Sequence, residues 1–409
     1  MFKREDINYL RKLASELKEI SQNPVHGENI SRWKAHNSLN LSKESKPMIF
    51  VHPDGAWSEL LRYDSLLCED DFLKNIEYQI RQKIIRAEYV KDDVPIIGEI
   101  IVRKQVHNSM WGISPAVTRS TQTNGAWSHN PIIEKPSDWE KLSFPVIEYD
   151  EYSTLKIYEE IKDCFGDILP VRLVGVTGFS FHLMHWYCDF RGIDNMFSDL
   201  YDDPETVRVV MRFFTDGIKS MLLQYEKLNL VSANSDDTFH YTGGIGYTDE
   251  LPAEKDGLKL SDVWGAAEAQ EFSCVSPEMH EEFVLQYERE ILDYFGLNGY
   301  GCCDDLSKKL GNVLKIKNLR RVAVCPWSDI LEFTPVLKKD YIMTWKPQPA
   351  HLAHDKMDEN AVYAELSTGV KKAGDGILEI ILRDTHTCRS EPGRFNRWIA
   401  AARKAVEYN

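Results

Sequence analysis

The chain has 409 residues, 43% hydrophobic and 28% charged, a composition typical of a globular protein with a substantial core. Its net charge of −15 argues against a nucleic-acid partner, because phosphates require a basic surface. No apolar run approaches the roughly 20 residues of a membrane helix, the N-terminus is charged throughout, and eight cysteines are too few for a disulfide scaffold, so we expect a cytoplasmic protein with reduced thiols.

Residues 1–94 are predicted to form a helical N-terminal layer. Apolar residues recur at helical spacing in residues 1–24 and again from Asp70 to Asp93. A short apolar strand, Pro47–Val51, lies between these two segments and precedes the turn sequence PDGAW. We expect this layer to pack on a barrel formed by residues 95–409, and its exposed helices are a candidate homodimer surface.

Eight segments of strand length follow, and most of them are separated by segments with helical periodicity. Strands that alternate with helices pair in parallel, so eight of them predict an α/β fold closed into a (β/α)₈ TIM barrel. The Trp-, Thr- and Asn-rich segment 104–150 predicts a lid-like insert after the first barrel strand. The predicted strands are Ile96–Arg103, Val171–Val176, Thr238–Thr242, Ala269–Cys274, Gly299–Cys303, Arg321–Val324, Tyr341–Trp345 and Leu378–Arg383.

Candidate metal ligands stand at the ends of three predicted strands. Cys302 and Cys303 end the fifth strand, Cys325 ends the sixth, and His386 and Cys388 follow the eighth. His386 and Cys388 are two residues apart, so in an extended segment both side chains point to one side. Thiols and an imidazole are suitable zinc ligands, and catalytic groups gather at the carboxyl ends of barrel strands. Packing of these cysteines in the core is the alternative.

Two histidines and two carboxylates form a second candidate site. His182 and His185 follow the second predicted strand at a spacing that places both on one helix face. Without a third ligand, such a pair more often binds substrate or satisfies the core than holds a metal. Glu268 and Glu271 lie around the fourth predicted strand, where a carboxylate can act as general acid or base or can form a salt bridge to a neighbouring strand. We predict Glu271 and His182 as catalytic and His185 as substrate-binding.

Glycines and aromatic residues around the third and fourth predicted strands predict a substrate surface. Gly243 and Gly244, in TGGIG, lack the lysine of a phosphate loop but allow a ligand to approach the backbone closely. Tyr241 and Trp264 are candidates to line a large flat pocket, although aromatic residues in such places are commonly part of the core. Arg383, at the end of the last strand, is a candidate to hold an acidic substrate.

Several segments, which occur in a matching order, resemble the uroporphyrinogen decarboxylase superfamily. The resemblance covers about residues 45–408 and implies a (β/α)₈ barrel with its site at the carboxyl ends of the strands. The arginine-rich motif with which true decarboxylases hold porphyrinogen carboxylates is missing from the sequence. The segments are FRGIDNMFSDLYDDPETV, SCVSPEMHEEFVLQYEREIL, GYGCCDDLSKKLGNVLKIKNLRRVAVCPWSDI and DTHTCRSEPGRF.

Zinc-dependent methyltransferases of this superfamily have a His-x-Cys motif after a mid-barrel strand and a further cysteine late in the chain. Cys303 and Cys388 match these two cysteines, Gly301 replaces the histidine, and His386 stands beside the late cysteine. The resemblance therefore implies Cys303, His386 and Cys388 as zinc ligands, with Cys302 in reserve.

The resemblance also implies an activity. Members of this group move a methyl group from a methyl-corrinoid protein to a thiol or to tetrahydrofolate. Zinc, a corrinoid on a partner protein and tetrahydrofolate are then the expected cofactors of a small-molecule methyltransferase. Two alternatives stay open, namely a cofactor-free decarboxylase-like lyase that acts on an acidic substrate and a non-catalytic partner of a corrinoid protein.

Overall fold

The computed structural model describes residues 2–42, 44–119, 127–239 and 245–407, without the side chains of residues 116 and 127–129. Strands are numbered here in chain order. They are β1 (Met48–Val51), β2 (Ile100–Arg103), β3 (Gln105–Asn108), β4 (Ala116–Arg119), β5 (Trp127–Asn130), β6 (Ile147–Asp150), β7 (Val171–Val174), β8 (Ser180–Phe181), β9 (Trp264–Ala267), β10 (Leu297–Tyr300), β11 (Leu319–Val324), β12 (Ile342–Trp345) and β13 (Ile377–Leu382).

Seven of these strands form one parallel sheet, in the spatial order β1, β13, β12, β11, β10, β9 and β8. A second parallel sheet pairs β2 with β7. Between the two sheets an isolated parallel bridge joins Val176 to Val231. This arrangement is that of a TIM-barrel-like α/β fold, in which no continuous ladder of the described strands runs all the way around.

One of the eight predicted strands is wrong, and another lies mostly outside the described residues. Ala269–Cys274 contains the 3₁₀ turn Gln270–Phe272, and the strand lies earlier, at Trp264–Ala267. Three residues of its sequence, WGAA, are Gly or Ala, which have little intrinsic strand preference; the segment becomes a strand because it pairs with β8 and β10 and all four of its residues are buried. Thr238 and Phe239 are not in a strand, and the rest of Thr238–Thr242 lies outside the described residues.

The first strand of the main sheet lies inside the segment predicted as a helical layer. β1 pairs with β13, from Met48 opposite Glu379 to Val51 opposite Leu382. The main sheet therefore begins well before residue 95, and a division of the chain at residue 94 stays a prediction.

Helices flank both sheets, and their first turns are capped as the sequence favours. Asp70 accepts hydrogen bonds from the first turn of helix α4 (Asp71–Ile85), and Asp203 precedes the proline that begins helix α8 (Pro204–Lys227). In the described part of the chain no helix combines the length and apolarity that a membrane span requires. The helices are α1 (Arg4–Ser21), α2 (Pro24–Asn37), α3 (Trp57–Leu60), α4 (Asp71–Ile85), α5 (Glu151–Phe165), α6 (Leu183–Arg191), α7 (Ile193–Asp202), α8 (Pro204–Lys227), α9 (Pro277–His280), α10 (Gln286–Leu292), α11 (Leu310–Val313), α12 (Ile330–Leu337), α13 (Glu359–Ala373) and α14 (Gly393–Glu407).

The segment predicted as an insert, 104–150, forms two antiparallel pairs, β3 with β6 and β4 with β5. It packs on helices rather than on the main sheet. Ile132 and Ile133 both donate to the carbonyl of Phe190 on α6, and Ile147 donates to Gln224 on α8. The insert is therefore a β arm held against α6 and α8, and a lid role for it stays a prediction.

Candidate active site

One edge of the main sheet carries a chemically active side chain after every strand. The seven strands are parallel, so their carboxyl ends lie along the same edge, where ligands bind in α/β proteins. The residues that follow the strands, directly or after one intervening glycine, are His52, His182, Glu268, Cys302, Cys325, Lys346 and Arg383.

Cys302 and Lys346 form the centre of this edge. The Lys346 ammonium donates to the Cys302 carbonyl oxygen at 3.0 Å and lies 3.3 Å from its sulfur, reaching past the end of β11 to do so. Both residues are buried: Lys346 has 2% of its surface exposed and Cys302 has 8%. A hydrogen bond from Cys303 and the charge of Lys346 lower the pKa of Cys302 to about 6, against the opposing effect of burial. Cys302 is therefore a thiolate at neutral pH.

Cys303 is the protonated neighbour of this thiolate. Its sulfur lies 3.7 Å from the Cys302 sulfur and 3.8 Å from the Asp384 carboxylate. The hydrogen bond to Cys302 raises the pKa of Cys303 above its ordinary value. The side chain is partly exposed, so it forms part of the wall of the site.

Gly301 occupies a backbone conformation that a histidine would adopt only under strain. Its φ is +94°, and a Cβ there would lie 2.5 Å from Leu306 Cδ1 and 3.2 Å from Ala323 Cβ. The turn is held by a hydrogen bond from the Gly301 N–H to the Ala267 carbonyl. A glycine is therefore required by this backbone at the position where the resemblance would place a histidine.

His182 and Glu268 face each other because their strands are in register. Phe181 on β8 lies opposite Ala267 on β9, so the next residue of each strand reaches the same place. His182 Nδ1 lies 3.7 Å from Glu268 Oε1, and its Nε2 lies 2.9 Å from the Ser180 hydroxyl. Burial lowers the pKa of His182 to about 4 and, together with the Cys302 charge, raises the pKa of Glu268 well above its ordinary value. His182 is therefore uncharged at neutral pH, and its neighbour Glu268 is shifted towards its protonated form.

A second histidine–carboxylate pair lies one turn further along α6. His185 Nδ1 is 2.9 Å from Glu271 Oε1, and His185 Nε2 is 3.4 Å from Asp189. The hydrogen bond to Glu271 raises the pKa of His185. The other carboxylate oxygen of Glu271 is buried and has no hydrogen-bond partner among the residues that the structure describes. A buried acceptor without a partner is costly unless a polar ligand or water satisfies it.

Arg383 is bound to a carboxylate of the protein itself. Its guanidinium donates to Asp54 at 3.2 Å, and the same carboxylate accepts from the Asp384 N–H and lies 2.7 Å from His52 Nδ1. Burial would raise the pKa of Asp54, but the bond to His52 and the charge of Arg383 outweigh it and lower the value to about 2. This arginine thus anchors the loop after β1, and a role in holding an acidic substrate stays a prediction.

The residues predicted as zinc ligands are not assembled. Cys388 is fully buried and its sulfur donates to Glu59 at 3.2 Å, so burial and this bond raise its pKa to about 12. His386 is exposed whereas Cys388 is fully buried, so the two side chains do not meet at one place. The described part of the chain contains no group of three His, Cys, Asp or Glu side chains placed to hold a metal ion. In this structure Cys303, His386 and Cys388 therefore do not fit a zinc ion.

Four predicted substrate-binding residues are not at this edge or cannot be placed. Trp264 is the first residue of β9 and lies fully buried towards the opposite edge of the sheet, where its indole donates to the Gly246 carbonyl and stacks under Arg321. Tyr241, Gly243 and Gly244 lie outside the described residues.

Sequence reasoning missed Lys346 and His52. Each residue follows directly on a short apolar strand, in the sequences YIMTWK and MIFVH, so the rule that singled out Cys303 would also have found them. A lysine that follows a strand is usually solvated, so the sequence alone does not mark Lys346 as a site residue. The fold brings its ammonium to Cys302.

Comparison with known proteins supports the fold. No family model and no curated protein sequence matches the chain. Among solved structures, it is similar to a methyltransferase from Methanosarcina mazei, with a TM-score of 0.51, 10% sequence identity, and coverage of 92% of this chain and 98% of that chain. At this identity the likeness shows a shared TIM-barrel-like fold over nearly the whole length of both proteins.

Proposed function

We propose that this protein is a methyltransferase that moves a methyl group from a methyl-corrinoid protein to a thiol or to tetrahydrofolate, in a site at the carboxyl ends of a closed barrel. The fold likeness to a methyltransferase supports the class of reaction. The observation that carries the proposal is the His185–Glu271 pair, because one oxygen of Glu271 lies buried beside the imidazole and has no hydrogen-bond partner in the described parts of the chain.

Either acceptor must lose one proton when it gains a methyl group, from sulfur or from nitrogen. In the proposed mechanism the S–H or N–H of the acceptor donates to the second oxygen of Glu271. His185 takes up the released proton, since its pKa is raised, and passes it to water because its side chain is 41% exposed. Glu271 is therefore the base and His185 its relay.

The Glu268–His182 pair and the Cys302–Lys346 ion pair form the floor of the proposed site. Protonated Glu268 can donate a hydrogen bond to the substrate, and His182, which lies 3.7 Å away, limits its orientation. Lys346 and Cys302 neutralise each other, so the floor offers polar groups without a net charge. Such a floor favours an acceptor whose reacting sulfur or nitrogen is uncharged.

An acidic substrate, as the lyase alternative requires, gains little support from this edge. Its two cations, Arg383 and Lys346, are engaged by Asp54 and Cys302. Zinc assistance stays a prediction from the resemblance, and metal analysis of protein purified without chelator tests it.

The proposal is tested by incubating the purified protein anaerobically with methylcobalamin and either a small thiol or tetrahydrofolate. Loss of the methyl–cobalt absorption and the mass of the methylated product report transfer. Glu271→Gln should lower the rate at least about tenfold. It should also move the rising limb of the pH–rate profile to lower pH, because the carboxylate no longer raises the pKa of His185.

The chain offers a matched control in a second pair of the same type. His351 lies 2.8 Å from Glu365, which raises the pKa of His351 in the same way. Glu365→Gln should leave the rate and the pH profile unchanged. Equal rates for wild type and Glu271→Gln with both acceptors would exclude the proposed base. Tight binding of a corrinoid protein without any turnover would favour the non-catalytic alternative.

A further inference from the structure

The loop after β10 carries two adjacent thiols in two different environments. The sulfurs of Cys302 and Cys303 are 3.7 Å apart, and all eight cysteines of the chain are free. The Cys302 sulfur lies against the buried ammonium of Lys346, whereas the Cys303 sulfur lies against the carboxylate of Asp384. Methyl transfer as proposed above assigns no chemistry to this pair.

We propose that Cys302 and Cys303 are a redox-active dithiol that closes reversibly to a disulfide by exchange with a low-molecular-weight disulfide. This inference does not depend on the proposed methyltransferase function. It assigns a modification site, and the class of its reaction partner, at the centre of the strand-end edge.

The neighbours of the two sulfurs match the two steps of thiol–disulfide exchange. In the first step the attacking sulfur must be a thiolate, and Lys346 stabilises that anion on Cys302. In the second step the other thiol must lose its proton, and the Asp384 carboxylate, 3.8 Å from the Cys303 sulfur, is placed to receive it. A pair that merely packed in the core would need neither a buried ammonium nor a carboxylate.

The exchange proceeds in two steps. The Cys302 thiolate attacks one sulfur of a small disulfide R–S–S–R, the S–S bond breaks, and R–S⁻ leaves and takes up a proton. Cys303 gives its proton to Asp384, and its sulfur attacks the Cys302 sulfur of the mixed disulfide, which expels the second R–S⁻. The thiolate and the thiol together lose two electrons and one proton, and the small disulfide takes up both electrons. The proton held by Asp384 passes to the second R–S⁻, and the first R–S⁻ takes its proton from water.

The closed form is expected to be readily reduced. Adjacent residues have Cα atoms about 3.8 Å apart across a trans peptide, below the roughly 4.4–6.8 Å that disulfides prefer. Disulfides with unfavourable geometry have more oxidising potentials and belong to the labile class rather than the structural class. The pair is therefore suited to repeated opening and closing.

The test uses the full-length protein, reduced, desalted and incubated with hydroxyethyl disulfide, then quenched with acid and analysed by peptide mass spectrometry. Wild type should lose two hydrogens in the peptide that contains Cys302 and Cys303, without a retained adduct, and dithiothreitol should restore them. Cys303→Ser should stop at a mixed disulfide on Cys302. Cys302→Ser should react at least about tenfold more slowly at Cys303, because the stabilised thiolate is gone.

Cys325→Ala, one strand away, serves as the matched control and should behave like wild type. A stable adduct on Cys302 in wild type, no reaction in wild type, or a disulfide that involves another cysteine would each overturn the inference. As a second readout, phenylarsine oxide, which bridges two neighbouring thiols, should bind wild type and the Cys325→Ala control with one equivalent per chain. Loss of that binding in both single variants, with unchanged circular dichroism, supports the pair, and retention in either variant contradicts it.

Discussion

At the scale of single residues, neighbours rather than residue types set the charge states of the site. Cys302 and Cys388 are both buried cysteines after parallel strands, yet one lies beside an ammonium and the other beside a carboxylate. The pKa of Cys302 falls to about 6, whereas that of Cys388 rises to about 12. The sequence alone does not distinguish these two cysteines, although only Cys302 has the lowered pKa that a nucleophile needs at neutral pH.

Lys346→Met should raise the pKa of the Cys302 thiol, because the stabilising charge disappears while burial remains. The pH dependence of Cys302 alkylation by iodoacetamide, followed by tandem mass spectrometry, measures this value. Lys339→Met, which removes an exposed lysine, should leave it unchanged. An unchanged alkylation profile in Lys346→Met would show that Lys346 does not stabilise the thiolate.

Gly301→His creates the His-x-Cys sequence of the superfamily that the chain resembles but should destabilise the fold by more than about 2 kcal/mol, because the backbone is left-handed there and the added Cβ meets Leu306. Urea unfolding measures the loss. Gly311→Ala is the control, since a Cβ at that helical position has no neighbour within 4 Å. A stable Gly301→His variant that binds zinc would contradict the structural account of this turn.

At the scale of elements, the carboxylates of Asp92 and Asp93 accept the backbone hydrogen bonds that a neighbouring strand would otherwise accept from β1. On the side of β1 that faces away from β13, the N–H groups of Ile49 and Val51 donate to Asp93 and Asp92 at 2.8 and 2.7 Å. The Ile49 carbonyl accepts from the Asp93 N–H, and the Val51 carbonyl accepts from Arg86. The edge of β1 is thereby satisfied without pairing to β2, which explains the interrupted ladder.

Asp92→Asn should flatten the dependence of stability on pH between about 4 and 6. Burial raises the pKa of Asp92 from 3.8 to about 6, so the folded protein binds a proton that the unfolded chain has released in this window. The contribution of this group to stability is therefore largest at low pH and is lost as pH rises towards 6. Urea unfolding of both proteins across this range measures it. A steeper fall in the variant than in wild type contradicts the assignment.

At the scale of the whole molecule, a buried ion pair joins the main sheet to the N-terminal helices. Arg321 on β11 and Glu379 on β13 are bonded and fully buried, and Thr344 between them donates to Glu379 at 2.6 Å. Arg321 also donates to Asn37 at the end of α2. Arg321 and Glu379 each lie three residues before the last residue of their strands, so the network joins the sheet to α2 from within the barrel rather than from the edge that carries the candidate site.

Glu379→Ala should cost roughly 3–5 kcal/mol of unfolding free energy, because it leaves the Arg321 charge buried without its partner. Thermal or urea unfolding measures the change. The double variant Arg321→Met, Glu379→Leu removes both charges and should recover most of the loss. A double variant that is less stable than Glu379→Ala would show that the network contributes more than mutual neutralisation of its charges.

Much of the fold followed from local sequence signals. Short apolar segments such as those of β11, β12 and β13, alternating with capped helices, predict a parallel α/β sheet, because a strand buried on both faces has few other sequence solutions. The residues after these strands were recognisable as site candidates by the same logic. What the tertiary structure alone decided was strand identity in WGAA, the place of β1 beside β13, and which thiol faces a cation. These features depend on neighbours from distant parts of the chain, whose burial and charge outweigh local propensity.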